Sequence, residues 1–352
     1  MFWPEFFLHS LPSFFYRQLT LTPPYPSTDC TGKTLLVTGA NTGLGKEAAR
    51  HYVRLNAEKV IIACRSVEKG EAAVRDIEQT TGRKGVCEVW QLDLGSYENV
   101  KEFAGRVKGL RRVDGFVENA VGSMPLLLGL RKSANEVLQG ISTSEYKLVE
   151  GNESTITVNV VSTFLLALLV IPKLQQTARE FNIVPTLTIV SSEVHFFTPF
   201  PERKAPSIFA TVNDQKEARM ADRYNVSKML EVLACREIAS LHPVSQLNVT
   251  LNFVNPGLCY SELLREMSGI GIRIFMKLLA RTTEVGSRTL VHAGLAEPET
   301  HGKYLSDCRI TECATIVEGK GGAEVQRRWW GELAQKLEEI QPGVTKVLDA
   351  KA

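Results

Sequence analysis

The stretch Thr38-Gly39-Ala40-Asn41-Thr42-Gly43-Leu44-Gly45 decides the fold of this chain. It follows the apolar run Leu35-Leu36-Val37 and leads into a helical pattern over residues 46–55, so it reads as strand, glycine-rich turn and helix in that order. Glycine permits a tight turn and lets the backbone come close to a pyrophosphate, while the free N–H groups and dipole of a helix N-terminus attract its charge. The turn is a candidate dinucleotide cradle. The rest of the chain is then expected to build an α/β sheet outward from it.

A second apolar strand over 59–63 ends in Cys64-Arg65-Ser66 before a helix over 67–81. A dinucleotide fold reads the adenosine ribose at this strand's end. An acidic residue there suits the 2′-hydroxyl of NAD, whereas Arg65 offers a guanidinium fork to a 2′-phosphate and favours NADP. A third strand over 86–92 ends at Asp93-Leu94, and Ser96 caps a helix running to about residue 108. A fourth, over 113–117, ends at Glu118-Asn119-Ala120. Residues 153–181 form a long helical stretch containing Asn159, too apolar for a surface and expected to be buried. A fifth strand over 187–190 ends in Ser191-Ser192, and 194–221 reads as a long loop. A helix from about 222 to 240 carries Tyr224 and Lys228, and a sixth strand over 246–254 ends at Asn255-Pro256-Gly257. This alternation predicts one domain of Rossmann type, a doubly wound parallel sheet.

The chain has 352 residues, 44% hydrophobic and 23% charged, enough to bury a large core. A formal net charge of +2 with no basic block argues against nucleic acid as a partner. The seven cysteines are scattered, with no C-x-x-C pair and no histidine at zinc-finger spacing, so a reduced, cytoplasmic protein without a structural metal is expected. Residues 1–30 crowd eight aromatics among prolines, with no apolar run long enough to span a bilayer. They are expected to form an arm packing its aromatics on the body, with peripheral membrane contact as the alternative. A catalytic body over 31–310 and a helical C-terminal extension over 311–352 complete the organisation. The sequence leaves a homo-oligomer open.

Thr38-Gly39-x-x-x-Gly43-x-Gly45, Asp93, Asn119-Ala120, Asn159, Ser192, Tyr224-x-x-x-Lys228 and Pro256-Gly257 occur in an order and spacing that resembles the short-chain dehydrogenases/reductases over about residues 32–310. Glu-Asn-Ala, Ile-Val-Ser-Ser-Glu-Val-His and Arg-Tyr-Asn-Val-Ser-Lys look like the retinol-dehydrogenase-like group and its fungal secondary-metabolite members. The chemistry can also be read from the residues. Tyr224 and Lys228 are four apart and share a helix face. The ammonium is expected to lower the phenol's pKa from its usual value of about 10, letting Tyr224 exchange a proton with a substrate oxygen as hydride moves. Ser192, at a strand's C-terminal end, would hydrogen-bond the same oxygen.

The resemblance implies further roles. Lys228 would hold the nicotinamide ribose and Asn159 a proton-relay water. Asp93 and Leu94 would lie at the adenine, Asn119 and Ala120 beside the cofactor, and Pro256-Gly257 at its nicotinamide end. Thr38, Gly39, Asn41, Gly43, Leu44 and Gly45 would line the pyrophosphate. His195 is read as a pocket-lip or core residue, and Trp329-Trp330 as the anchor of a C-terminal helix.

Residues 194–221 and an apolar lid after Gly257, from Leu263 to Leu279, are the expected substrate walls. A hydrophobic ketone or secondary alcohol on a polyketide or terpenoid scaffold follows from the lid and the resemblance. The competing reading is a non-catalytic, NADP-binding regulatory protein of the same fold, which would be expected to lose the Tyr/Lys pair.

Residues 121–139 interrupt the motif. Without them Asn119-Ala120 would join Gly140-Ile141 and restore Glu-Asn-Ala-Gly-Ile, the family pattern. Valine codons begin GT, glutamine can be CAG, and nineteen codons have the length of a short intron. A retained intron is favoured over a genuine active-site insertion, and the segment as written is expected to impair NADP binding unless it folds outward.

Overall fold

In the computed structural model, which describes residues 11–120, 145–260 and 277–349, β1 (Thr34–Thr38) is buried along its whole length. It pairs in parallel with β2 (Lys59–Cys64) on one side and with β4 (Gly115–Glu118) on the other. β3 (Cys87–Gln91) adds beyond β2, while β7 (Thr186–Val190), β8 (Thr250–Asn255) and β9 (Tyr304–Ser306) extend the sheet beyond β4. The order is β10-β9-β8-β7-β4-β1-β2-β3, and only the edge strand β10 (Arg309–Thr311) runs antiparallel, as the second arm of a hairpin with β9. β5 (Leu148–Val149) and β6 (Asn152–Glu153) form a separate two-stranded ribbon.

The strand order reverses between β1 and β4, which opens a crevice at the carboxyl ends of the strands. Burial of both faces explains why these strands read as unbroken apolar runs rather than alternating ones. One core lies under α2 (Gly43–Arg54) and the helix Thr283–Gly294, the other under the helix Tyr97–Lys108 and the long helix Thr163–Phe181. Ser154–Phe181 is long and apolar enough to cross a membrane, but 83% of its most apolar window is buried inside the protein. It is a core helix, as its composition led one to expect.

The second, third and fourth strands shift by only one to two residues from their expected bounds. The sixth differs more. Val244–Leu247 is a helical turn that Asn248 ends at φ +55, and pairing begins at Thr250. The stretch 194–221 is more ordered than a loop, with short turns at Glu193–Phe196 and Pro201–Lys204 and a helix at Ile208–Asn213. Glu332 of the C-terminal helix (Gly322–Ile340) explains the last of these. Its carboxylate accepts from the N–H groups of Ile208 at 3.1 Å and Phe209 at 2.6 Å, satisfying orphan donors of a helix start from outside the segment. Trp329 is fully buried, donates its indole N–H to the Leu230 carbonyl at 2.9 Å and stacks on Phe209.

The anomalous segment 121–139, with Gly140, lies outside the described residues, as does most of the apolar lid. Within the lid, Leu279 is buried and Leu278 exposed.

Candidate active site

The glycine turn is built around close backbone approach. Gly39 and Gly43 sit at φ +64 and +58, a region that disfavours side chains. A Cβ on Gly45 would lie 2.6 Å from Asn119 Nδ2 and 2.7 Å from the Gly39 carbonyl oxygen, so only glycine fits there. Thr42, at the N-cap of α2, makes no side-chain capping bond, which leaves the first N–H groups of the helix to a ligand. This cradle fits a pyrophosphate. Asn41 and Leu44 are half-buried along it.

Thr38 and Asn119 lock the turn to the neighbouring strand. Thr38 Oγ1 accepts from the N–H groups of Asn119 at 2.9 Å and Ala120 at 2.8 Å, while Asn119 Nδ2 donates to the Thr38 carbonyl at 2.9 Å. The side-chain amide of Asn119 is thus occupied in holding the cradle's shape. Asp93 is half-buried and turns back to accept from the Gly95 N–H at 2.9 Å, with Leu94 buried beside it. Arg65 is exposed immediately beyond β2, at the strand end that adjoins the cradle.

Asn159 sits in a π-helical turn, Thr157–Ser162, that leads into the long core helix. Such turns displace one residue from the regular ladder and often mark functional positions. Asn159 Nδ2 donates to Ser227 Oγ at 3.0 Å, and Ser227 donates to the Tyr224 carbonyl at 2.8 Å, so the π turn is tied to the helix Arg223–Leu241 at the Tyr224–Lys228 segment. From the other side, Ser191 Oγ donates to the Lys228 carbonyl at 3.2 Å and Lys228 Nζ donates to the Val190 carbonyl at 2.9 Å. The end of β7 is therefore fastened to the same segment. Ser192 Oγ accepts from the Val194 N–H at 3.3 Å, leaving its hydroxyl hydrogen to be offered to a ligand oxygen.

Lys228 Nζ lies 5.8 Å from the centroid of the Tyr224 ring. The electrostatics differ from the simple expectation. Burial raises the Tyr224 pKa, Lys228 draws it down, and Glu231 pushes it up again, with a net shift upward. The missing partner in the sequence reading is Glu231, which accepts from Lys228 Nζ at 2.8 Å in the interior. Burial disfavours the ammonium of Lys228, but Glu231 and Tyr224 more than offset this and raise its pKa.

Asn255 is a second organiser that sequence reasoning passed over. Its Oδ1 accepts from the N–H of Glu193 at 3.1 Å and from that of Gly257 at 3.0 Å, joining the residue after Ser192 to the Pro256-Gly257 turn. Its place at the end of β8, immediately before Pro-Gly, was the available signal. The N-terminal helix α1 (Leu11–Thr20) reaches the same place by polar contacts. Gln18 Nε2 donates to the carbonyls of Leu258 at 3.0 Å and Leu279 at 2.8 Å, and Arg17 pairs with Glu193. Among its aromatics Tyr16 is exposed and Phe14 and Phe15 are half-buried.

His195 is a core residue. It is fully buried, its Nδ1 faces the Ser192 carbonyl at 2.7 Å, its Nε2 accepts from the Ala314 N–H at 3.2 Å, and burial pushes its pKa down to about 4. The imidazole is neutral with the proton on Nδ1. All seven cysteines are free thiols, and no group of three or more metal-binding side chains occurs among the described residues.

A strand order that reverses at a glycine cradle, with a Tyr/Lys helix fastened beside it, defines a nicotinamide-dependent oxidoreductase class. Residues 33–197 match the short chain dehydrogenase family. The chain is 51% identical over 338 residues to the short chain dehydrogenase/reductase dmxR8 of Cryptosporiopsis sp., covering 94% of this chain and 98% of that one. It is 39% identical to the short-chain dehydrogenase anuD of Penicillium roqueforti, over 96% of this chain and 85% of that one. In fold it is similar to Pseudomonas aeruginosa RhlG, solved as an NADP active-site complex, with a TM-score of 0.57 and 18% identity over 80% of this chain and 97% of that one. The chain belongs to the short-chain dehydrogenase/reductase family and is an oxidoreductase.

Proposed function

We propose that this enzyme interconverts a ketone and a secondary alcohol on a hydrophobic small molecule, using NADP, in fungal secondary-metabolite biosynthesis. The observation that carries the reading is the placement of Lys228 Nζ beside the Tyr224 ring, on a helix bonded to the strand end that bears Ser192. When bound, the nicotinamide cofactor supplies or accepts the hydride. Tyr224 gives a proton to, or takes one from, the substrate oxygen, and Ser192 donates its hydroxyl hydrogen to the same oxygen and orients it. Lys228 keeps one N–H direction for the cofactor ribose after bonding Val190 and Glu231. The N–H groups at the start of α2 hold the pyrophosphate, and Arg65 pairs with the 2′-phosphate.

Fungal relatives and the apolar composition of the segment after Gly257 support a lipophilic polyketide or terpenoid substrate. A cytoplasmic setting belongs to the same proposal, supported by seven cysteines that are all unpaired.

The test mixes the purified protein with NADPH or NADP and a panel of lipophilic ketones and alcohols while cofactor absorbance is followed. Turnover is expected with at least one lipophilic pair. Tyr224→Phe should abolish it, by about a hundredfold or more, while NADPH still binds. Wild-type turnover in that variant would remove Tyr224 from the mechanism.

A further inference from the structure

Lys228 is held by two acceptors inside the protein, the Val190 carbonyl and Glu231 Oε1. Glu231 is 2% exposed, one turn further along the same helix, and its Oε2 has no hydrogen-bond partner. Three elements present ionisable or polar groups to it. Lys228, Tyr224 and Cys235 share its helix, Ser191 reaches it from the end of β7, and Glu118 faces it from the end of β4. Glu118 is 4% exposed, and neither of its carboxyl oxygens has a hydrogen-bond partner.

One buried ammonium cannot support two buried carboxylates, because the second would carry its full desolvation cost against a like charge. Geometry decides which is ionised. Glu231 lies 2.8 Å from the ammonium, whereas Glu118 has no compensating donor and keeps its proton. The directions agree. Burial and the charge of Glu231 push Glu118 well up, while burial raises Glu231 to about 7 against the downward pull of Lys228.

An anion this close to the ammonium cancels much of its field at Tyr224, whose ring centroid is 5.8 Å away. The ion pair also occupies one of the three N–H directions of Lys228 and thereby fixes where the remaining one points. We propose that Glu231 is a positioning residue: its carboxylate aims Lys228 and, by partly neutralising it, sets the pH at which Tyr224 ionises, with Glu118 standing behind it as an uncharged acid. The proposal rests on the roles given above to Tyr224 and Lys228, but its readout is separate from turnover.

Glu231→Gln keeps an acceptor for Lys228 and removes the charge. Tyrosinate absorption is followed in the ultraviolet as pH rises, and the Tyr224 component is the part lost in Tyr224→Phe. The Tyr224 titration is expected to move by about one pH unit in Glu231→Gln relative to the wild type. Glu118→Gln, uncharged like the acid it replaces, should leave that titration where it is. A Tyr224 titration that is the same in Glu231→Gln and the wild type overturns the proposal.

If circular dichroism shows that Glu231→Gln does not fold, Glu231→Asp keeps the charge and withdraws it by one methylene. Its dissociation constant for NADPH, read by fluorescence, should rise severalfold; an unchanged constant overturns the proposal. Turnover by Tyr224→Phe would remove the catalytic assignment, yet the ultraviolet titration would still report whether Glu231 governs that phenol.

Discussion

Arg65 shows what one side chain can and cannot tell. Its position after β2 was readable from the sequence because the strand, the turn and the following helix all announce themselves locally. If it forms a charge-assisted pair with the 2′-phosphate, Arg65→Ala should weaken NADPH by about 1.5 to 3 kcal/mol and leave NADH nearly unchanged in fluorescence titrations. Equal losses for both cofactors would count against the pairing. The positions of Tyr224, Lys228 and Ser192 were equally legible, from the four-residue spacing on a helix and from a strand's end, and Asn159 was singled out by the family resemblance. Glu231, Glu118 and Asn255 were not. A glutamate three residues after a lysine is usually a solvated helix-face pair, and only the burial of that helix within the body makes it an interior one.

Among the elements, the parallel strands follow from continuous apolar runs and the major helices from periodicity, whereas the short pieces depend on contacts made from far away. β9 and β10 have three residues each, too few for a pattern, and exist because β8 offers an edge. The helix Ile208–Asn213 is started by Glu332, more than a hundred residues on. The N-terminal helix belongs to this group. Gln18 also accepts from the Leu258 N–H at 3.2 Å, so one amide makes three bonds to backbone beside the Pro256-Gly257 turn. Gln18→Ala should lower stability by about 1 to 2 kcal/mol in urea denaturation and raise the KM for the cofactor. A denaturation midpoint unmoved by this change would mean that the helix contributes nothing to the body's stability.

For the whole molecule, acid sensitivity is expected from its buried histidines, above all the fully buried His195. His195 has a folded pKa of about 4, below the unfolded value of about 6.5, so the unfolded chain takes up a proton first as pH falls. The stability this neutral imidazole contributes is full above about pH 6.5 and is lost as pH drops toward 4. Between about pH 7 and pH 5 the loss should be on the order of 2 kcal/mol, seen as a falling urea midpoint. His195→Asn should shrink the fall by about that amount. A parallel fall in that variant would assign the acid sensitivity to other groups.

The bond between Glu332 and the start of the helix Ile208–Asn213 has a consequence for anyone trying to re-tune this enzyme. Grafting residues 198–213 from a relative, to import that relative's selectivity, would transplant half of a two-part fitting. Glu332 would still find backbone donors in the graft, but the ring that stacks on Trp329 at position 209 would have to come with it or be matched by a change in the C-terminal helix.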